Sequence, residues 1–224
     1  MEKKYKLTEE TINVNGRTLY RIEALMDFGD VKKGDKGGFI EKECNLSQSG
    51  DCWVYHNAEV FGNAEVFGNA KVCGNANVYG NAKVYGYAKV FINANIYGNA
   101  EVYNNAKVFG NAEVRGNAHV YDDAEVYGNA EVYGYTMVYG DAEVCDNAKI
   151  CDDAKVFDNA IAFDNAVVFG DAVVSGNARV YGNAKVYGNA KVCDDAYIYN
   201  NAKICGEAKV YGNMEVYGNT KFGE

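Results

Sequence analysis

Ala184-Lys185-Val186-Tyr187-Gly188-Asn189 is one copy of a phrase that recurs from Ala58 to Thr220 without insertion or deletion. Ala64-Glu65-Val66-Phe67-Gly68-Asn69 is another. Single letters vary, as at Tyr87 and Tyr135, where the closing Asn is replaced, but the six-residue spacing holds through 28 copies. A fixed short period predicts a repeat architecture. Ala and Val stand two residues apart and share one side of an extended chain. The residue between them, usually Lys or Glu, and the one after Val, usually Tyr or Phe, point the other way. Gly-Asn supplies a turn, because Gly accepts positive φ freely and Asn accepts the left-handed region better than most residues. A period of six leaves no apolar stripe at 3.6 residues per turn, which excludes a helix.

A four-residue strand cannot bury its Ala and Val alone. Three strands and three corners close a triangular coil of 18 residues, and stacked coils satisfy one another's main-chain groups. Small Ala beside branched Val suits a narrow interior. Only Thr136, Met214 and Thr220 depart at the Ala position, and Ala162, Phe222 and a few Ile at the Val position. The 28 copies make about nine coils, which at roughly 4.8 Å each give a rod on the order of 45 Å long.

These repeats resemble the hexapeptide-repeat proteins that form left-handed parallel β-helices. More narrowly, they are similar to bacterial and phage proteins whose repeats read Val-Tyr-Gly-Asn-Ala-Lys or Val-Tyr-Gly-Asn-Ala-Arg. The start fits the same subgroup, with Tyr5-Lys6-Leu7-Thr8, Leu19-Tyr20-Arg21-Ile22, Asp27-Phe28-Gly29-Asp30-Val31, Gly37-Gly38-Phe39-Ile40 and Asn45-Leu46-Ser47 before Trp53-Val54-Tyr55. The resemblance implies an all-β, left-handed parallel β-helix. Members are often called transferases by fold analogy, and fold alone does not assign function.

Residues 1–39 lack the phrase. Asn15-Gly16 between two strand-like runs predicts a β-hairpin, which as an N-terminal cap would cover the open edge of the first coil. Residues 40–57 read as an imperfect first coil, with Ile40, Leu46 and Cys52 in register with the Ala position, and residues 58–224 form the β-helix proper. No cover follows the last repeat, whose edge is expected to fray, to pair with another chain, or to mark a point where the sequence is cut short. There is no apolar run of membrane length and no signal peptide behind Met1-Glu2-Lys3-Lys4, so no membrane association and a cytoplasmic site, a host cytoplasm if phage encoded, are expected. Proline is absent, as expected where every strand donates to its neighbours. Cys73, Cys145, Cys151, Cys193 and Cys205 occupy the outward position after Val. No two are 18 apart, so neither a disulfide framework nor a metal motif is expected.

Catalytic residues, metal ligands and cofactors are not expected either. His56 falls at a corner and His119 at an outward strand position, and no loop interrupts the repeats to shape a cleft. The Gly-Asn-Ala corners carry no nucleotide-binding signal. On these grounds the chain is expected not to be an enzyme. Of 27 positions after Val from 61 to 217, 20 are Tyr or Phe. Tyr85, Tyr103, Tyr121 and Tyr139, each 18 apart, should form a stacked column. Columns on all three faces favour ring packing over a platform for sugar rings. Threonines are too few for an ice-binding ladder.

Departures from the phrase point to a surface. Between 113 and 146, Glu113, Asp122, Asp123, Glu125, Glu131, Asp141, Glu143 and Asp146 face one base, Arg115, and hold most of the net charge of −9. Asp123 with Asp141, Asp146 with Asp164 and Asp153 with Asp171 should stack at corners and repel unless solvated or bridged by a cation. In the next coil, outward positions become Ile161, Val167 and Val173, flanked by Phe157, Phe163 and Phe169. Contiguous apolar surface tends to mark an interface. Beyond it lie Lys185, Lys191, Lys203 and Lys209. The expectation is a rigid interaction protein, phage or prophage encoded. Its acidic belt and adjoining apolar side chains, chiefly Ile161, Phe163, Val167, Phe169 and Val173, would bind a protein partner or a second copy. A sharper form is an inhibitor of a host defence or nucleic-acid enzyme; direct nucleic-acid binding is not expected. The alternative is a self-assembling structural or fibre-like element, and a third reading is an acyltransferase by fold analogy.

Overall fold

The computed structural model describes residues 3–224, so the first two residues of the expected 1–39 cap lie outside it. The chain opens with β1 (Tyr5–Val14), β2 (Arg17–Ala24) and β3 (Lys36–Ile40), then continues as two-residue strands from β4 (Trp53–Val54) to β32 (Lys221–Phe222). Each short strand pairs in parallel with the one 18 residues on, as Val90 with Val108. The link between coils runs from amide to carbonyl, as from Lys89 N to Ala106 O at 2.9 Å. This is a parallel β-solenoid with three faces. Face 1 begins at β5 (Glu59–Val60), face 2 at β6 (Glu65–Val66) and face 3 at β4, followed by β7 (Lys71–Val72). The three sheets hold 13, 9 and 10 strands, the first including the N-terminal three.

The expected alternation sets the core. Repeat residues such as Ala100, Val102, Ala106 and Val108 are fully buried, while the Lys or Glu between them stays partly or wholly exposed. The corners turn through a left-handed residue. Gly68 (φ 70°) is typical, and Asn104 (φ 57°), Asp122 (φ 58°) and Asp146 (φ 59°) take the same place. Ile92 does so too at φ 68°, a costly conformation for a β-branched side chain.

The hairpin forms where Asn15-Gly16 predicts it, with φ of 52° and 81° at the two turn residues. Its second strand pairs antiparallel with β3, and β3 pairs in parallel with β5, so the cap continues face 1. Beneath it, Trp53 is buried against Tyr5 and Phe28, with ring centroids 6.1 and 5.3 Å away. Lys4 is buried as well. Its Nζ donates to Gly50 O (3.0 Å), Cys52 O (2.9 Å) and Cys52 Sγ (3.3 Å), and burial lowers its pKa.

The first coil corrects one expectation. Ile40 pairs with Val60 and Leu46 with Val66, so both occupy the Val position rather than the Ala position. By Trp53, which pairs with Lys71, the 18-residue register is in place, and Cys52 keeps the Ala position. The two extra residues are absorbed between Leu46 and Cys52, in the Ser47–Asp51 corner.

Candidate functional site

The parallel register lines up the outward residues of each face in rows. Face 1 carries Asn95, Glu113, Glu131, Lys149, Val167 and Lys185 in succession. Face 2 carries Glu101, His119, Met137, Lys155, Val173 and Lys191. Face 3 carries Lys71, Lys89, Lys107, Glu125, Glu143, Ile161 and Arg179.

The acidic belt is therefore divided between faces. On face 1, Glu131 bonds Lys149 (2.7 Å) and Arg115 (3.1 Å), and these cations hold its carboxyl below the usual range. Arg115 also lies 4.1 Å from the centre of the Tyr133 ring. Glu113 accepts from Tyr97 Oη at 3.0 Å. On face 3, Glu125 pairs with Lys107 at 2.7 Å and Glu143 accepts from Tyr127 Oη at 2.9 Å. Asp122, Asp123 and Asp141 sit on the corner between faces 2 and 3. Asn104 and Asn105 donate to Asp122 (2.8 Å) and Asp123 (3.0 Å), and Asp141 has no hydrogen-bond partner among the described residues. Asp146 lies at the opposite edge of face 3.

The corner aspartates have a local use that the sequence did not reveal. Asp146 accepts the backbone amide of Asp164 (3.4 Å) and Asp164 that of Gly182 (3.1 Å). Asp152, Asp158 and Asp194 do the same for Gly170, Gly176 and Gly212. An amide donor one coil on offsets part of the stacking repulsion.

The apolar coil does not form one patch. Val167 and Phe169 lie on face 1, Ile161 and Phe163 on face 3, Val173 on face 2, all half-buried. Val167 is flanked along its row by Lys149 and Lys185. Only on face 3 do the two predicted features meet. There Asp141, Glu143, Asn159, Ile161, Arg179 and Tyr197 line one shallow trough. A second trough on the same edge is lined by Asp30, Asp51, Tyr87, Lys89, Lys107 and Asp123. Asp30, unmarked by any repeat in the sequence, is held over face 3 by Tyr55 Oη (2.7 Å) and Lys71 Nζ (2.8 Å). Its signal lay in the cap, outside any period.

The aromatic columns stack as expected. Tyr85, Tyr103, Tyr121 and Tyr139 follow one another at 4.9 Å with planes within 3° of parallel. Each ring face is covered by the next ring, which leaves edges rather than faces for a ligand. His119 lies on face 2 with the Tyr103 ring edge-on at 6.3 Å. It shares a shallow depression with Asn117, Tyr135, Met137, Asp153, Lys155 and Asp171. His56 occupies a left-handed corner (φ 55°), and its carbonyl accepts from Arg21 at 3.1 Å.

A family model described as YdcK beta solenoid repeat matches residues 174–188. The chain is also 40% identical over 68 residues to a protein of Escherichia coli (strain K12) named "Uncharacterized acetyltransferase YdcK". That match covers 26% of this chain and 21% of the relative, so the chain spans about a fifth of the relative's length. Both findings agree with a hexapeptide-repeat β-solenoid. The name overturns the expectation that the chain is not an enzyme. Uninterrupted repeats and a histidine without an orienting partner do not exclude activity when a similar repeat stretch occurs in a protein called an acetyltransferase. No helix among the described residues is long and apolar enough to cross a membrane.

Proposed function

We propose that the chain is a rigid rod that binds a protein partner through face 3 and the corner beside it. The observation that carries this reading is the meeting of Asp141 and Glu143 with Ile161 in one trough on face 3, with Asp123 on the same corner one coil earlier. Acidic groups next to half-buried apolar side chains suit a partner that presents basic and apolar side chains together. The belt's glutamates on face 1 support it less, since Arg115 and Lys149 already neutralise Glu131. The same ion pairing weakens the sharper form, an acidic mimic that fills a cationic nucleic-acid groove. The test compares two variants in affinity capture of interacting proteins. Asp123→Asn, Asp141→Asn and Glu143→Gln together should abolish capture, while Glu113→Gln with Glu131→Gln should leave it unchanged. Equal behaviour of the two sets overturns the reading.

A second reading, acetyl transfer, is favoured by the match to the protein called an acetyltransferase. His119 is the one imidazole on a strand face, and His119→Ala should abolish any release of thiol from acetyl-CoA in the presence of small amine or hydroxyl acceptors. Turnover that survives this substitution removes His119 from the reading.

A further inference from the structure

We infer that the partner of face 3 is face 3 of a second copy, packed antiparallel about a two-fold axis between the Lys107 and Glu125 rungs. The inference rests on the reading above and names the occupant of that surface.

The charge order along the row carries it. Lys71, Lys89 and Lys107 stack on successive coils, followed by Glu125 and Glu143. Two such faces packed parallel would set every charge against its own kind. Packed antiparallel about this axis, Lys89 meets Glu143 of the second copy, Lys71 meets Ile161, and the Lys107–Glu125 ion pair of each copy meets its reversed counterpart, lysine against glutamate. Shifting the axis by half a rung or a whole rung puts Lys107 against a lysine or Glu125 against a glutamate, so one register is selected. Both rods rise by the same strand spacing per coil, so a match at one rung is kept at the next. An isologous contact of this kind closes as a dimer.

The edges and the cap agree with that register. A transverse axis brings the corner between faces 2 and 3 against its own copy. Tyr87, 63% exposed, then faces Asp141, and Asn105 faces Asp123. Asp30, held at the rungs of Tyr55 and Lys71, faces Arg179 of the second copy. The trough around Ile161 and Arg179 receives the cap loop that carries Asp30. Lys89 has no ion-pair partner within its own chain among the described residues, which leaves it free for Glu143. Exposed pairs are individually weak and screened by salt, so the dimer is weak and salt-sensitive.

The experiment is sedimentation velocity over a concentration series at low and high salt. The samples are the wild type, Lys89→Glu, Glu143→Lys and the double variant K89E/E143K, with circular dichroism confirming the fold. The expected result is a concentration-dependent wild-type dimer that dissociates as salt rises. Each single reversal raises the dimer Kd by about tenfold or more, and the double variant restores it. A wild type that stays monomeric throughout, or single variants that dimerise as the wild type does, overturns the inference. If a monomeric wild type still captures another protein through face 3, the second copy is wrong and the binding face stands. Loss of both findings removes both.

Discussion

Tyr127 Oη donates to Glu143 Oε2 across 2.9 Å, from the aromatic position of one coil to the outward strand position of the next. The same offset of 16 residues joins Tyr85 to Glu101 (2.9 Å), Tyr97 to Glu113 (3.0 Å) and Tyr199 to Glu215 (3.1 Å). Phe109 holds the equivalent place before Glu125 and has no hydroxyl, and Glu125 bonds Lys107 instead. These diagonals tie consecutive coils together outside the main-chain ladder. Tyr127→Phe should therefore lower stability by about 0.5–1.5 kcal/mol. Tyr211→Phe, at a tyrosine 59% exposed, should change little. Urea midpoints of the two variants measure the difference, and equal midpoints would sink the claim.

The tyrosine columns make a prediction at high pH. Burial, helped by Glu113, pushes the Tyr97 phenol up to about 12, and burial with the neighbouring Tyr103 and Tyr139 pushes Tyr121 up to about 12. A raised folded-state pKa contributes stability that is complete below the ordinary tyrosine value and is lost as pH rises through the folded value. The fold should hold to pH 10 and weaken between 10 and about 12. Phenolate absorbance and far-ultraviolet circular dichroism, followed together, should change in that window. Full ionisation near pH 10 with the fold intact would contradict it.

Much of the fold could be read from the sequence because the period acts twice. A spacing of two places Ala106 and Val108 inside, and a spacing of 18 places Tyr103 over Tyr121. What the period does not encode was missed. The Ser47–Asp51 corner takes two extra residues and moves Ile40 and Leu46 to the Val position. Lys4 reaches Cys52 through a cap contact that no repeat announces. The candidate surface was legible as composition but not as a patch. Ile161, Val167 and Val173 are six apart and so fall on three different faces. Charge counts along the chain also could not show that Lys149, one coil beyond Glu131, neutralises it. The amide bonds of Asp146 and Asp164 depend on how each carboxylate turns at its corner, which spacing leaves open.

Thr136 occupies an Ala position, fully buried, and its Oγ1 has no hydrogen-bond partner. An unsatisfied buried hydroxyl costs roughly 1–3 kcal/mol. Thr136→Ala restores the repeat and should stabilise the protein by about 1–2 kcal/mol. A rise in Tm would show it, and a fall would mean that the Thr methyl contributes more packing than the hydroxyl costs.

The Glu131 cluster predicts an acid limb. Lys149, and with it Arg115, depresses the Glu131 pKa. Stability from this group is complete above the ordinary carboxylate value and is lost as pH falls through the lowered folded value. Glu131→Gln should be less stable than the wild type at neutral pH, and the gap should close at acid pH. Tm measured from pH 7 downwards tests this, and a gap that stays constant would place the effect in packing rather than charge.

Ile92 turns the corner between faces 3 and 1 at φ 68°, where glycine or Asp/Asn stands in most other coils. A left-handed conformation costs a non-glycine residue roughly 1–2 kcal/mol, and a β-branched side chain sits at the upper end. Its side chain is 48% exposed, so little burial offsets that strain. Ile92→Gly removes the strain but gives the unfolded chain more freedom, worth about 0.5–1 kcal/mol in the opposite direction. The net expectation is a gain of about 1 kcal/mol, larger than that of Ile92→Ala, which keeps a Cβ at the same φ. Denaturation of the three proteins in urea separates the terms. If alanine stabilised as much as glycine, the cost at Ile92 would come from its exposed apolar side chain and not from the backbone.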